Sequence, residues 1–253
     1  MKEIKCSFLD FKYQALNLNH VIRIGAIRDG GYFVTKRLVE DSEILISGGI
    51  SYNVAFEKDF WDINRTAKLI MIDGSFNLFT YLARPFYWMI FKRSFTMKIG
   101  GLIDMLYLKK KAIFVKKYLG IRYSLKNIFD EYVKREKKVY LKLDIEGSEY
   151  DLLDDIISYQ DKICGLAIEF HNVPDHIPEI NKFLIRLQKC LIGFSINETA
   201  KLNASGLPNV IELCFADNLY VEIQDTDKKA PKIFSNEHYN ELLIPFWSEG
   251  LEG

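Results

Sequence analysis

The stretch that most restricts how this chain can fold runs from Val139 to Tyr150, Val-Tyr-Leu-Lys-Leu-Asp-Ile-Glu-Gly-Ser-Glu-Tyr. Val139, Leu141, Leu143 and Ile145 take one side of a period-two pattern, and Tyr140, Lys142, Asp144 and Glu146 take the other. A central strand of a parallel sheet is covered on both faces, so three ionisable residues on one side are costly unless they serve a ligand. Gly147 ends the strand. Ser148 and Asp151 have the spacing of a capping box, and Leu152, Leu153, Ile156 and Ile157 repeat as in a helix packed on a sheet. Open α/β sheets bind ligands beyond the carboxyl ends of their strands, which is where Asp144 and Glu146 fall. A salt-bridged sheet edge is the alternative, but edge strands seldom hold this much branched apolar content.

The same pattern occurs earlier. Ile44-Leu45-Ile46 is a short apolar strand opening into Ser47-Gly48-Gly49-Ile50-Ser51-Tyr52-Asn53, and a helix begins near Val54 or Ala55. This order aims backbone N–H groups and a helix N-terminus at a ligand, and small residues permit close approach. Lys68 to Ile72 is a second strand ending in Asp73 and Gly74, with Asp73 24 residues after Gly49. That is close to the spacing at which an acid meets ribose hydroxyls. Asp73 as a plain turn residue is the alternative; the ordered arrival of strand, loop, helix, strand and acid favours the ribose. A further buried strand, Gly165 to His171, points Glu169 and His171 the same way at its carboxyl end.

Elsewhere the signals are coarser. Residues 1 to 20 give a weak helical pattern (Phe8, Phe11, Leu16, Leu18), and Asp29-Gly30-Gly31 between apolar runs predicts a hairpin or a tight loop. Lys109 to Lys111 reads as a solvated charge run, Ala112 to Val115 as an irregular third strand, and Ser124 to Lys134 as a helix capped near Ser124. Pro178 to Cys190 is amphipathic. Gly193 to Glu198 and Val210 to Phe215 read as the last strands, an antiparallel pair joined through the turn-rich Asn203 to Asn209 loop. The aromatic run from Phe76 to Phe95 is interrupted by Arg84 and Pro85 and falls well short of the roughly 20 apolar residues of a membrane span. A lid, a subunit contact, a surface-attaching insertion and core packing all fit it. We expect a single domain over 1–253: an N-terminal arm (1–40), a Rossmann-like core (44–223) holding an aromatic insertion (76–110), and a C-terminal tail (224–253).

Lys plus Arg and Asp plus Glu number 34 each, so no bulk field holds a polyanion, and nucleic acid is not an expected partner. Cys6, Cys164, Cys190 and Cys214 show no Cys-x-x-Cys spacing, which predicts reduced thiols and no structural zinc. With no apolar run in the first residues, a cytoplasmic protein without a transmembrane segment is expected.

Alternating strands and helices, a glycine-rich first loop and a closing antiparallel pair describe an α/β, Rossmann-like class I methyltransferase sheet, mostly parallel. The residues also carry a family resemblance. Arg23-x-Gly25 with Asp29-Gly30-Gly31-Tyr32, Ser47-x-Gly49 running to Phe56-Glu57, Leu141-Lys142-Leu143-Asp144-Ile145-Glu146-Gly147-Ser148-Glu149, and Asn197 followed by Pro208-Asn209-Val210-Ile211-Glu212 resemble the FkbM family of S-adenosylmethionine-dependent methyltransferases. Three positions depart from its pattern: Ser51 replaces a second loop glycine, Asn53 an acid, and Ser195 a histidine ahead of Asn197.

The resemblance implies S-adenosylmethionine as cofactor and methyl transfer to a hydroxyl, on a sugar nucleotide or a surface-polysaccharide sugar. It places Ser47, Gly48, Gly49, Ser51, Asn53, Asp73, Gly74 and Asp144 at the cofactor, Arg23, Asp29, Tyr32 and Asn197 at the acceptor, and Asp144, Glu146, Glu169 and His171 at the chemistry. Among the four histidines, His20, His171, His176 and His238, only His171 lies at a strand's carboxyl end, and its ordinary pKa suits a proton acceptor near neutrality. Asp144 or Glu146 as the base stays open. The chemistry needs no metal, although Asp144, Glu146, Glu169 and His171 have the chemistry of a divalent-ion site. A non-catalytic interaction protein on this fold, a methyltransferase of another small molecule, and an oxidoreductase without a full glycine fingerprint are the rivals. A homo-oligomer is compatible with the sequence.

Overall fold

The computed structural model describes residues 4–6, 9, 12–13, 20–26, 30–51, 53–76, 96–120, 122–198, 207–221 and 247–249. Strands β5 (Ile44–Gly48), β6 (Lys68–Ile72), β7 (Ala112–Val115), β8 (Val139–Leu143) and β9 (Ile163–His171) lie parallel in the order β7-β6-β5-β8-β9. β11 (Val210–Asp217) runs antiparallel to β9 and to β10 (Leu191–Glu198), so the expected antiparallel closing pair is present. Beyond β10 the sheet continues through β2 (Lys12–Tyr13) and β1 (Ile4–Cys6) to β12 (Trp247–Glu249). The chain builds outward from β5 to β7, then returns to place β8 on the other side of β5. That reversal opens a crevice at the carboxyl ends of β5 and β8, the ligand position of doubly wound sheets. This is a Rossmann-like α/β sheet, mostly parallel and closed by an antiparallel pair.

Each face of the sheet has its own core. Ile44, Ile46, Leu141, Leu143, Leu166 and Ile168 meet α4 (Leu125–Tyr132), α5 (Leu153–Ser158) and α6 (Val173–Leu187) in one apolar cluster. Leu45, Tyr140, Ala167 and Cys214 on the other face join residues of α1 (Lys36–Asp41) and α2 (Ala55–Ile63), with Tyr32 and Val34 from the hairpin of β3 (Val21–Gly25) and β4 (Gly31–Thr35). α3 (Thr96–Leu108) adds Met105 and Leu108 to that second cluster.

Several expectations are corrected. Within the first twenty residues Ile4–Cys6 and Lys12–Tyr13 form β1 and β2, completed by partners remote in sequence, whereas Phe8, Phe11, Leu16 and Leu18, which carry the helical pattern, lie outside the described residues. β8 stops at Leu143. Ser148 makes no side-chain cap, and a 3-10 turn over Glu149–Leu152 precedes α5. α6 begins at Val173, five residues before the expected Pro178, which lies inside it. The hairpin over Asp-Gly-Gly is present, β7 is a regular strand, and α4 is capped where Asn127 Oδ1 accepts the Ser124 N–H. Of the aromatic run only Phe76 is described, stacked on Phe114 with ring centroids 5.6 Å apart. Phe79 to Phe95, Asp29 and the Asn197 side chain lie outside the described residues. Among those described, no helix is long and apolar enough to cross a membrane.

Candidate active site

The crevice floor begins at Gly49, whose φ of +75° is left-handed. A Cβ there would lie 1.5 Å from the Asp144 carbonyl oxygen, so only glycine lets the β5 loop lie flush against the end of β8. Ser51 follows at φ +39°, and Asp73 braces it: Oδ2 accepts the Ser51 N–H at 2.6 Å, while Oδ1 accepts both the N–H and the hydroxyl of Ser75. Asp73 is buried where the sequence places the ribose acceptor, and it also fixes the loop. The N–H groups of Gly49, Ser51 and Asn53 bond within the protein, which corrects the expectation that they await a ligand. Ser47 is likewise spent below the surface, giving its hydroxyl to the fully buried Glu57 of α2, and Asn53 Oδ1 accepts the Ala55 N–H at the start of that helix. Gly74 is covered by the exposed Tyr118 ring, whose Cγ lies 2.3 Å from where a Cβ would stand.

Lys142 contributes a buried cation. Only 3% exposed, it reaches from β8 to the Gly49 carbonyl at 3.1 Å and to Asp144 at 3.7 Å, with its ammonium 5.7 Å from the Tyr32 ring centroid. Tyr32 crosses from the hairpin and donates its hydroxyl to Glu169 Oε2 at 3.3 Å. Arg23 turns to its own hairpin, donating to the Ala26 carbonyl. The alternation of β9 and β11 puts Glu169 opposite Glu212, and both are nearly buried.

His171 is held from two sides. Nδ1 lies 2.6 Å from Glu149 Oε1, and Nε2 is 3.5 Å from both Glu169 Oε1 and Glu146 Oε2. Burial disfavours the imidazolium, but the hydrogen bond and charge of Glu149, with Glu169 and Glu146, outweigh it and push the pKa up to about 9. His171 is therefore held as a cation at neutral pH, where an imidazolium has no free lone pair to accept a proton, contrary to the role expected from its ordinary pKa. Glu149, fully buried, is a residue that sequence reasoning missed: the Gly-Ser-Glu spacing presents it as an ordinary first-turn acid. Glu146, expected on the strand, sits in the loop after it at φ +56°, its side chain 86% exposed.

Donor atoms of Asp144, Glu169 and His171 lie within 4.8 Å of one another, a set that suits a hard divalent cation as well as a proton relay. The described non-glycine residues with positive φ, Ser51, Glu146 and Asn172, follow β5, β8 and β9 respectively. Left-handed backbone costs a residue with a Cβ, and here it gathers at one edge of three adjacent strands.

Residues 122–193, containing β8, β9 and the loop between them, match the family model described as the methyltransferase FkbM domain. No curated protein matches the chain. Among solved structures, an rRNA methylase from Streptococcus thermophilus is 12% identical, covering 72% of this chain and 90% of its own at a TM-score of 0.40. The N-methyltransferase NodS from Bradyrhizobium japonicum, in complex with S-adenosyl-L-homocysteine, is 9% identical over 72% and 83%, at 0.37. The fibrillarin pre-rRNA processing protein of Methanococcus jannaschii is 9% identical over 71% and 68%, at 0.40.

Proposed function

From the FkbM methyltransferase domain over residues 122–193 as premise, we propose that the protein is an O-methyltransferase that modifies a sugar hydroxyl. The acceptor is a nucleotide-activated or surface-polysaccharide sugar. S-adenosylmethionine supplies a methyl group already activated on a sulfonium cation. The observation that carries the reading is the convergence of Asp144, Glu169 and His171 beside the flush Gly49 loop.

The residues fit that cofactor. Asp73 has oxygen lone pairs left for ribose hydroxyls beyond the bonds that brace the loop, and Lys142 supplies a buried positive charge for the amino-acid carboxylate. Asp144, Glu169 and Glu212 make the crevice acidic, which favours a sulfonium cation over the neutral product of transfer. The chain's remaining task is to align the acceptor oxygen and take its proton. A carboxylate of the Asp144 and Glu169 pair takes it. Tyr32 holds one oxygen of Glu169, and the imidazolium of His171, clamped by Glu149, stands beside the other as the charge reaching that carboxylate is neutralised.

The test is to incubate purified protein with methyl-labelled S-adenosylmethionine and a panel of nucleotide sugars, after mass spectrometry for carried-over S-adenosylhomocysteine. Label in a sugar methyl ether supports the reading. Cofactor binding with label in another small molecule would reassign the acceptor, and no cofactor at all would make this an interaction protein on a methyltransferase fold.

A further inference from the structure

We propose that α3 and the edge strand β7 form a surface that docks on anionic phospholipid membranes, lying on the bilayer and not crossing it. Helices on a protein surface turn one apolar stripe inward and a polar face outward. α3 breaks that rule. Met105 and Leu108 are buried in the core beneath it, yet Ile103, Leu106 and Tyr107 on its outer side are 59%, 45% and 37% exposed. Lys110, also exposed, completes their i, i+3, i+4, i+7 stripe just past the helix end. Of the seven large hydrophobic residues exposed among those described, five fall between residues 103 and 118: these three, Ile113 on β7 and Tyr118 after it.

Charge decides what would cover this surface. Lys109, Lys110, Lys111 and Lys116 are exposed around the apolar side chains, and Lys117 is engaged with Glu131 and the Tyr123 ring. Residues 77–118 hold nine of the chain's 34 Lys and Arg and one of its 34 Asp and Glu, so a neutral protein has one strongly basic segment. The one acid, Asp104, sits on the inner flank of α3 within the field of Lys58. A second copy would bring like charge against like charge. Nucleic acid answers the lysines but gains nothing from Ile103 and Leu106. A bilayer with anionic headgroups answers both, since aliphatic side chains enter the headgroup boundary while lysines pair with phosphates. The inference is independent of the reading of the crevice.

Co-sedimentation of the full chain with vesicles of phosphatidylcholine, alone or mixed with phosphatidylglycerol, tests it. The anionic vesicles should bind the protein, salt should weaken binding, and phosphatidylcholine alone should not bind. Lys109→Gln, Lys110→Gln and Lys111→Gln together should lower the partition coefficient on the order of a hundredfold, because each lysine near an anionic surface contributes about a fivefold factor. Ile103→Ser with Leu106→Ser should weaken it similarly with an unchanged circular dichroism spectrum. Three results would each overturn the proposal: equal binding to both vesicle types, vesicle binding untouched by the serine substitutions, or dimerisation in the ultracentrifuge abolished by them. Tighter binding of an RNA oligonucleotide than of anionic vesicles would reassign the surface to nucleic acid.

Discussion

The two faces of the central sheet use the same strands for opposite ends. On the face toward α4, α5 and α6, every side chain from β5, β8 and β9 in the cluster is aliphatic or aromatic. On the other face the same strands begin apolar, with Leu45, Tyr140 and Ala167, and finish with Ser47, Lys142, Glu169 and His171. Period-two alternation lets adjacent residues belong to a core and to a site without compromise. The contrast teaches where cost is tolerated: buried charge and left-handed backbone collect at one edge of one face, supported by a second face that carries none.

Glu169→Gln should show the largest effect, because it removes a charge from the proposed proton-accepting pair and keeps the shape. Turnover should fall by about 10²- to 10⁴-fold, the range of one positioned acid–base group, with little change in thermal stability. Steady-state kinetics with a melting curve checks this, and unchanged turnover would move the base role to Asp144 alone. The neighbours Leu141 and Lys142 sharpen the comparison further. Leu141→Ala should cost about 2 to 5 kcal/mol of stability, as large-to-small core substitutions do, with cofactor affinity of the folded protein intact. Lys142→Met should reverse the pattern, keeping the fold and weakening cofactor affinity by roughly one to two orders of magnitude, the worth of one charged hydrogen bond. Denaturant titration and calorimetry on both variants separate the two roles.

Much of this was legible in the residues. Continuous apolar runs bounded by small residues marked β5, β6, β8 and β9, and the placement of Asp73, Asp144, Glu169 and His171 at strand ends followed from alternation. What stayed hidden depends on contacts distant in sequence. Glu149 is tied to His171 from 22 residues away, and its burial follows from the 3-10 turn that replaces the expected helix start. Lys142 was visible as a charge in a buried strand, but its partner is the Gly49 carbonyl on the neighbouring strand's loop. The start of α6 was misplaced because Pro178 drew the boundary, while Pro174, in the first turn where a missing N–H costs nothing, marked the true one.

Asp73→Ala extends the contrast to the neighbouring strand. Losing the carboxylate releases Ser51 and Ser75 together and removes the acceptor proposed for the ribose. A charged hydrogen bond contributes about 1.5 to 3 kcal/mol, so cofactor binding should weaken by at least tenfold in calorimetry. Asp73→Asn, which can still accept from Ser51, should lose less. Equal affinity in wild type and Asp73→Ala would take Asp73 out of the site.

The smallest effect concerns pH, and it bears on His171, whose ion pairs with Glu146 and Glu149 join the site to the segment after β8. His171 has a folded pKa of about 9, above the ordinary 6.5 of an unfolded histidine. The folded protein therefore binds the proton more tightly, and the stabilisation is complete below about pH 6.5 and lost as pH rises through about 9. The melting temperature of the wild type should fall over that window by several degrees, at roughly 2 to 4 °C per kcal/mol for a chain of this size. In His171→Gln, which keeps a donor for Glu149 but no titration, the same window should be nearly flat. The rate profile carries a separate readout. With a carboxylate as base, kcat/KM is level through neutrality and falls on the acid side; with His171 as base, it rises towards an apparent pKa near 9. A rising limb there that disappears in His171→Gln would return the proton to the histidine, and restoration of rate by Mg²⁺ after chelation would make Asp144, Glu169 and His171 ligands instead.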